Sequence, residues 1–260
     1  KQRGDLFVID TGAGDDSLSL ENGNVFANVS IQLGEGNNTF TKTGPGKLDY
    51  VLISAGDGND LVDLRNANAE VKYTSVSLGK GNNTIHSHDD ILDTTVTTGS
   101  GNDYIHLEAS PDSPGDDGID ISGKFYLGAG DDKIELEVGS INTWGTNNTT
   151  KSTHIDMGAG NDVIDIGFDI ENDHEGSNNV IVDTGVGNDI VDVRHVEGRH
   201  GSGIVTVNLG AGDDELNARG NIDDAVVNMG DGVDKLTSDN VQGGADIDMG
   251  DDTDTVTITR

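Results

Sequence analysis

The sequence predicts an all-β chain wound as a right-handed parallel β-solenoid of about eleven coils, with one glycine–aspartate turn in each coil. Three observations predict it. A Gly-x-Gly turn followed by acid or amide recurs with a mean period of roughly 24 residues, in the range of stacked repeats. Apolar residues stand at fixed offsets on both sides of that turn. The flanks alternate with period two and favour Val, Ile and Thr, with no helical periodicity. A unit of two short strands cannot bury its apolar face alone, so the coils must stack and each strand must pair with its equivalent in the next coil.

The first glycines of the copies are Gly12, Gly34, Gly56, Gly79, Gly99, Gly128, Gly158, Gly185, Gly210, Gly230 and Gly250. Three residues before them stand Ile9, Ile31, Ile53, Val76, Val96, Phe125, Ile155, Val182, Val207, Val227 and Ile247, all apolar. Six residues after them stand Leu18, Phe40, Val62, Ile85, Ile105, Ile134, Ile164, Val191, Leu216, Leu236 and Val256, again all apolar. These columns are the expected interior. Four residues after the glycine the chain offers only Asp or Asn: Asp16, Asn38, Asp60, Asn83, Asp103, Asp132, Asp162, Asp189, Asp214, Asp234 and Asp254. In a stack, that column becomes a line of oxygens along one edge.

Composition limits the partners. The 260 residues carry 48 Asp and Glu against 15 Lys and Arg, a formal charge of −33, which argues against nucleic acid and anionic membranes and for cations. Cysteine is absent, so disulfides and thiolate metal sites are excluded. No apolar run is long enough to span a membrane. The chain opens "KQRGDLFVID" with neither an initiator Met nor a signal peptide, which reads as a processed form or a piece of something longer. The whole of 1–260 reads as one domain.

Aspartates stacked about 4.8 Å apart repel one another and raise each other's pKa. A hard cation with oxygen ligands relieves this, and Ca²⁺ accepts six to eight oxygens from carboxylates, amides and backbone carbonyls. Glycine supplies the rest, because without a Cβ it reaches positive φ and turns successive carbonyls into the loop. The metal-free alternative is that Asp and Asn merely cap tight turns. That accounts for the residue type, but not for the paired glycines or for more acid in an overcharged chain.

A copy such as "MGAGNDVID", Met157 to Asp165, resembles the repeats-in-toxin nonapeptide G-G-x-G-x-D-x-U-x. It keeps the second and third glycines, the Asp and the following apolar residue, and has Met, Leu, Thr or Ala where the first glycine would be. The resemblance implies that Asp16, Asp60, Asp103, Asp132, Asp162, Asp189, Asp214, Asp234 and Asp254 hold several Ca²⁺ ions between neighbouring turns. The glycines it implicates are Gly12 and Gly14, Gly56 and Gly58, Gly99 and Gly101, Gly128 and Gly130, Gly158 and Gly160, Gly185 and Gly187, and Gly210 and Gly212. Members of that family usually carry two nonapeptides per coil; here one is recognisable, so calcium is expected along one edge and the other edge is expected to be irregular. Asn38 and Asn83 replace the carboxylate, and Asp252 replaces the second glycine of the last copy, which departs from the pattern at those coils.

Other chemistry is less well supported by the residues. Neither "GKGNNT" nor "GPGKLD" completes a phosphate-binding loop, and no EF-hand pattern is present. Seven residues after the glycine, Asp63, His86, His106, Glu135, Asp165 and Asp192 form an outward row across consecutive coils. Such a row resembles the acid–base face of parallel β-helix polysaccharide lyases and epimerases. The plain reading is solvated strand residues, with no Arg or Lys accompanying the histidines. "HSH", His86 to His88, could hold a transition metal. Four long coils between Gly99 and Gly210 carry polar insertions, "ASPDSPGDDG", "GSINTWGTNNTTKS" with Trp144, "DIENDHEGSNN" and "RHVEGRHGSG", which read as tolerated loops or a glycan-binding patch.

The expectation is therefore a calcium-stabilised structural or adhesive solenoid at or outside the cell surface, without catalytic activity. Its partners would be calcium and, through unpaired edges near Leu6–Ile9 and Val256–Ile258, a longer parent chain, end-to-end copies of itself, or other matrix or surface components. A polysaccharide-binding module or a lyase/epimerase is the alternative. No ice-binding face is expected, because no regular Thr ladder is present.

Overall fold

The computed structural model describes residues 7–21, 26–44, 46–66, 71–108, 120–143, 152–172, 178–198 and 203–260. Among the described residues the chain is an all-β parallel solenoid with no helix. The strands preceding the glycine turns, from Phe7–Asp10 through Thr153–Ala159 to Asp246–Asp248, pair in chain order into one sheet. The strands following the turns, from Ser17–Glu21 through Val163–Ile166 to Thr255–Ile258, form a second. Eleven such units stack, and nine of them have a neighbour on both sides, so about nine full turns are enclosed where eleven coils are counted from the sequence.

Register follows the columns. Ile31 pairs with Ile53, Val182 with Val207, Ile85 with Ile105 and Ile164 with Val191. In the enclosed units both apolar columns are buried. Alternation along each strand points the intervening residues away from the interior, as in Thr84–Ser87, where Ile85 and Ser87 are buried and Thr84 and His86 half-buried. The outermost unit breaks the rule: Val256 is 50% exposed because no further coil covers it. The interior is mainly apolar, and some of its polar members bond to backbone carbonyls of their own or the next coil. Thr98 and Thr184 donate to the carbonyls of Leu127 and Leu209 at 2.6 and 2.7 Å. Lys42, fully buried in register with Leu20, donates its Nζ to the carbonyls of Thr43 and Gly44, and burial lowers its pKa.

The side away from the glycine turn is not irregular, contrary to the sequence expectation. A third ladder runs through Phe26, Leu48, Val71, Ile91, Ile121, Ile141, Ile170, Val196, Ile222 and Val241. Its members from Leu48 to Ile222 are buried. Their distance from the glycine drifts, from 11 residues (Gly185 to Val196) to 22 (Gly99 to Ile121), so no fixed offset exposes them in the sequence. Ile141, Ile170 and Val196 of this ladder belong to three of the four insertions. Trp144 and most of those four loops lie outside the described residues.

Candidate metal centre

Close stacking explains the glycines. Successive turns lie directly over one another, so an added Cβ at Gly187 would stand 1.6 Å from the Gly160 carbonyl oxygen, and one at Gly158 would stand 1.8 Å from that of Gly128. The second glycine of each turn donates its N–H to a carbonyl in the next coil: Gly130 to Ala159, Gly160 to Val186 and Gly187 to Ala211, each at 2.8 Å. Positive φ is the rule, with Gly158 at 103° and Gly160 at 146°. Gly56, Gly79 and Gly99 depart from it; their glycine is required by contact, since a Cβ at Gly99 would lie 2.8 Å from the Gly79 oxygen and one at Gly56 would meet the Glu35 side chain.

The Asp/Asn column is a hydrogen-bonded ladder, sunk into the edge rather than displayed on it. The backbone N–H of Asp132 donates to Asp162 Oδ1 at 2.7 Å, that of Asp162 to Asp189 Oδ1 at 2.8 Å, and that of Asp189 to Asp214 Oδ1 at 2.7 Å. The same bond links Asp16 to Asn38, Asn38 to Asp60, Asp60 to Asn83, Asn83 to Asp103, Asp103 to Asp132, Asp214 to Asp234 and Asp234 to Asp254. From Asn38 onward, one oxygen of each side chain is thus committed to the backbone of the preceding coil. The ladder members from Asn38 to Asp234 are at most 2% exposed.

The other oxygen has no protein partner. Oδ2 is buried without a hydrogen bond in Asp16, Asp60, Asp103, Asp132, Asp162, Asp189, Asp214 and Asp234. The two asparagines show what that position calls for. Asn38 Nδ2 donates to the carbonyls of Gly34 and Gly36 at 3.1 and 2.8 Å, and Asn83 Nδ2 to those of Gly79 and Gly81, both at 3.0 Å. In an aspartate coil the same corner holds an acceptor beside acceptors. That arrangement wants a positive group: a proton or a cation.

The titration of these carboxyls follows. Burial pushes Asp132 and Asp162 up to about 7 and Asp214 up to about 6, and raises Asp60, Asp103, Asp189 and Asp234. At Asp132, Asp162 and Asp214 neighbouring ladder carboxylates add to the rise, and the backbone N–H each of them accepts offsets only part of it. Among the described residues these carboxylates do not converge in threes, so a cation at this edge would draw most of its oxygens from glycine carbonyls. Asp254, in the outermost coil, accepts from Asp234 but is not among the residues with an orphaned oxygen.

A second ladder, one residue earlier, escaped the sequence reading. Asp15, Asn37, Asn59, Asn82, Asn102, Asp131, Asn161, Asn188 and Asp213 each accept, through Oδ1, the N–H of the equivalent residue in the following coil. The two ladders therefore run in opposite senses along the stack. The signal was present as the Asx–Asx pair in each turn, broken only by Val233 and Thr253.

The outward row stands as read, with His86, His106 and Glu135 in register. The absence of accompanying cations does not hold. Arg65 pairs with Asp63 through two bonds of 3.0 and 2.9 Å, Lys133 reaches Glu135 at 2.9 Å and Arg219 reaches Asp192 at 2.9 Å. Alternation places all of them on the one outer face.

No family model matches the chain, and no curated protein or solved structure matches it significantly.

Proposed function

We propose that the protein is a calcium-stabilised structural or adhesive solenoid that works outside the cell or on its surface, akin to the repeats-in-toxin class and without catalytic activity of its own. One observation carries the reading: a buried, unpartnered carboxylate oxygen repeats in successive aspartate coils, at the corner where asparagine coils place an N–H donor. Asp16, Asp60, Asp103, Asp132, Asp162, Asp189, Asp214 and Asp234 would supply that oxygen, and the glycine carbonyls of each turn the remainder. Calcium suits an all-oxygen corner and tolerates irregular geometry. Its abundance outside cells would make weak sites a compartment-dependent fold, loose during export and condensed afterwards. Removing calcium at pH 8 should abolish most of the β-sheet circular dichroism and lower the melting temperature; an unchanged spectrum and melt would refute the proposal. Further partners would be copies stacked end to end, since among the described residues Phe7–Asp10 and Thr255–Ile258 each pair on one side only.

A second reading rests on the raised carboxyls. With pKa values up to about 7, Asp132 and Asp162 can be held by protons instead. A calcium-free chain that is fully folded at pH 5 and unfolded at pH 8, and that calcium does not rescue at pH 8, would favour protons.

A further inference from the structure

The outer face of the second sheet carries a grid of ligating side chains unrelated to the glycine edge. His86, His106 and Glu135 form one row. Two residues further along, His88, Glu108 and Glu137 form the next, held in register by Glu108 N–H donating to the Ser87 carbonyl and Glu137 N–H to that of Leu107, both at 3.0 Å. We propose that His106, Glu108 and Glu137 form a site for a divalent first-row transition metal of the zinc type, with His88 positioning Glu108.

The ligand atoms of these three residues all lie within 4.8 Å of one another. His106 Nε2 stands 3.6 Å from Glu137 Oε1 and is buried without a hydrogen-bond partner. Its ring is already fixed: Tyr104 stacks on it at 5.3 Å and 9°, anchored by a hydroxyl that donates to Glu135, and the His86 ring meets it edge-on at 5.4 Å. Holding the imidazole costs no further ordering when a metal arrives. His88 Nε2 lies 3.0 Å from Glu108 Oε1, the outer-sphere contact that orients a carboxylate ligand. Glu137 is half-exposed and free to swing inward, closing the spread toward the ~2 Å bonds of a zinc-type site. Two glutamates on adjacent coils, about 4.8 Å apart, repel; Arg65 Nη1, 3.9 Å from Glu108 Oε1, offsets part of that repulsion, and a metal ion bound by both carboxylates would offset the rest.

The donor set decides the metal. An imidazole nitrogen with two carboxylates suits zinc-type ions, whereas Ca²⁺ takes hard oxygens alone. Three protein ligands leave a coordination position for water. The site is independent of the proposed calcium ladder, which lies on a different edge.

The test is calorimetric titration of the whole chain with ZnCl₂ in saturating CaCl₂, so that the glycine edge cannot contribute. One zinc per chain is expected, weakened about 10-fold or more by His106→Gln or Glu108→Gln and less by His88→Gln; ligand and outer-sphere losses are typically of this size. Asp165→Asn, in the outward row two coils from His106 and one from Glu137, should leave affinity unchanged. Co²⁺ should give a visible absorption band that His106→Gln abolishes. Circular dichroism verifies each fold, and Glu137→Gln, at a half-exposed position, keeps the test open should His106→Gln misfold. Absence of zinc binding, or equal affinity in the wild type and in the His106 and Glu108 variants, would overturn the proposal.

Discussion

Alanine in place of Gly187 tests the idea that turn-on-turn contact, and not backbone conformation alone, demands glycine. The new Cβ would sit 1.6 Å from the Gly160 oxygen, so the two coils must part by well over an ångström. Three of the bonds across that joint lie at the turn itself: Gly160 N–H to Val186 O at 2.8 Å, Asp162 N–H to Asp189 Oδ1 at 2.8 Å and Asn188 N–H to Asn161 Oδ1 at 2.9 Å. At about 1 kcal/mol net for each bond, their loss costs roughly 3 kcal/mol. A non-glycine residue at positive φ adds about 1 kcal/mol. Gly12 has positive φ but nothing within 4 Å of its would-be Cβ, so Gly12→Ala should show the conformational part alone. The expected gap of roughly 3 kcal/mol corresponds to a melting difference of about 6 to 12 °C for a chain of this size. Scanning calorimetry in calcium measures it. Gly250→Ala controls for fraying, since it also lies in an outermost coil but would meet the Gly230 oxygen at 1.8 Å. Gly187→Ala and Gly250→Ala melting no lower than Gly12→Ala would refute the contact argument.

The ladder carboxyls give a pH dependence whose sign reverses with metal. Because the folded pKa values of Asp132, Asp162 and Asp214 lie above the ordinary 3.8, their contribution to metal-free stability is complete below pH 4 and lost as pH rises through 6 to 7. Calcium-free melting temperature should therefore fall between pH 5 and 8, whereas calcium affinity should rise over the same interval; calorimetry at both pH values checks the pair. Asp162→Asn should copy the Asn83 corner, with the amide donating to the Gly158 and Gly160 carbonyls, so the metal-free form should melt higher and calorimetric calcium stoichiometry should drop. Ile164→Ala, in the fully buried column, should cost about 2 to 5 kcal/mol by denaturant titration, and Val256→Ala, half exposed in the same column, under about 0.5 kcal/mol.

The parallel solenoid was legible in the sequence because it is a one-dimensional crystal of side chains: any position stacked on its own copies must keep one physical character, and columns such as Ile31–Ile53 or Ile164–Val191 record that at constant distance from the glycine. The Asp column was legible for the same reason. The third ladder was not, because Ile121 and Val196 perform the same task at different distances from their glycines, the chain between being free to bulge. Nor could the sequence tell how the acids are used. Backbone geometry alone decides that Asp162 Oδ1 accepts the Asp132 N–H of the coil before it and that Oδ2 is left buried without a partner, while its neighbour Asn161 bonds in the opposite sense. Likewise, "HSH" suggested metal from two histidines on one strand, but the ligand atoms that converge belong to His106, Glu108 and Glu137, on two later coils. Residues 20 to 30 apart in the chain become neighbours only through the stacking of coils, and the contacts made across that stack are tertiary facts.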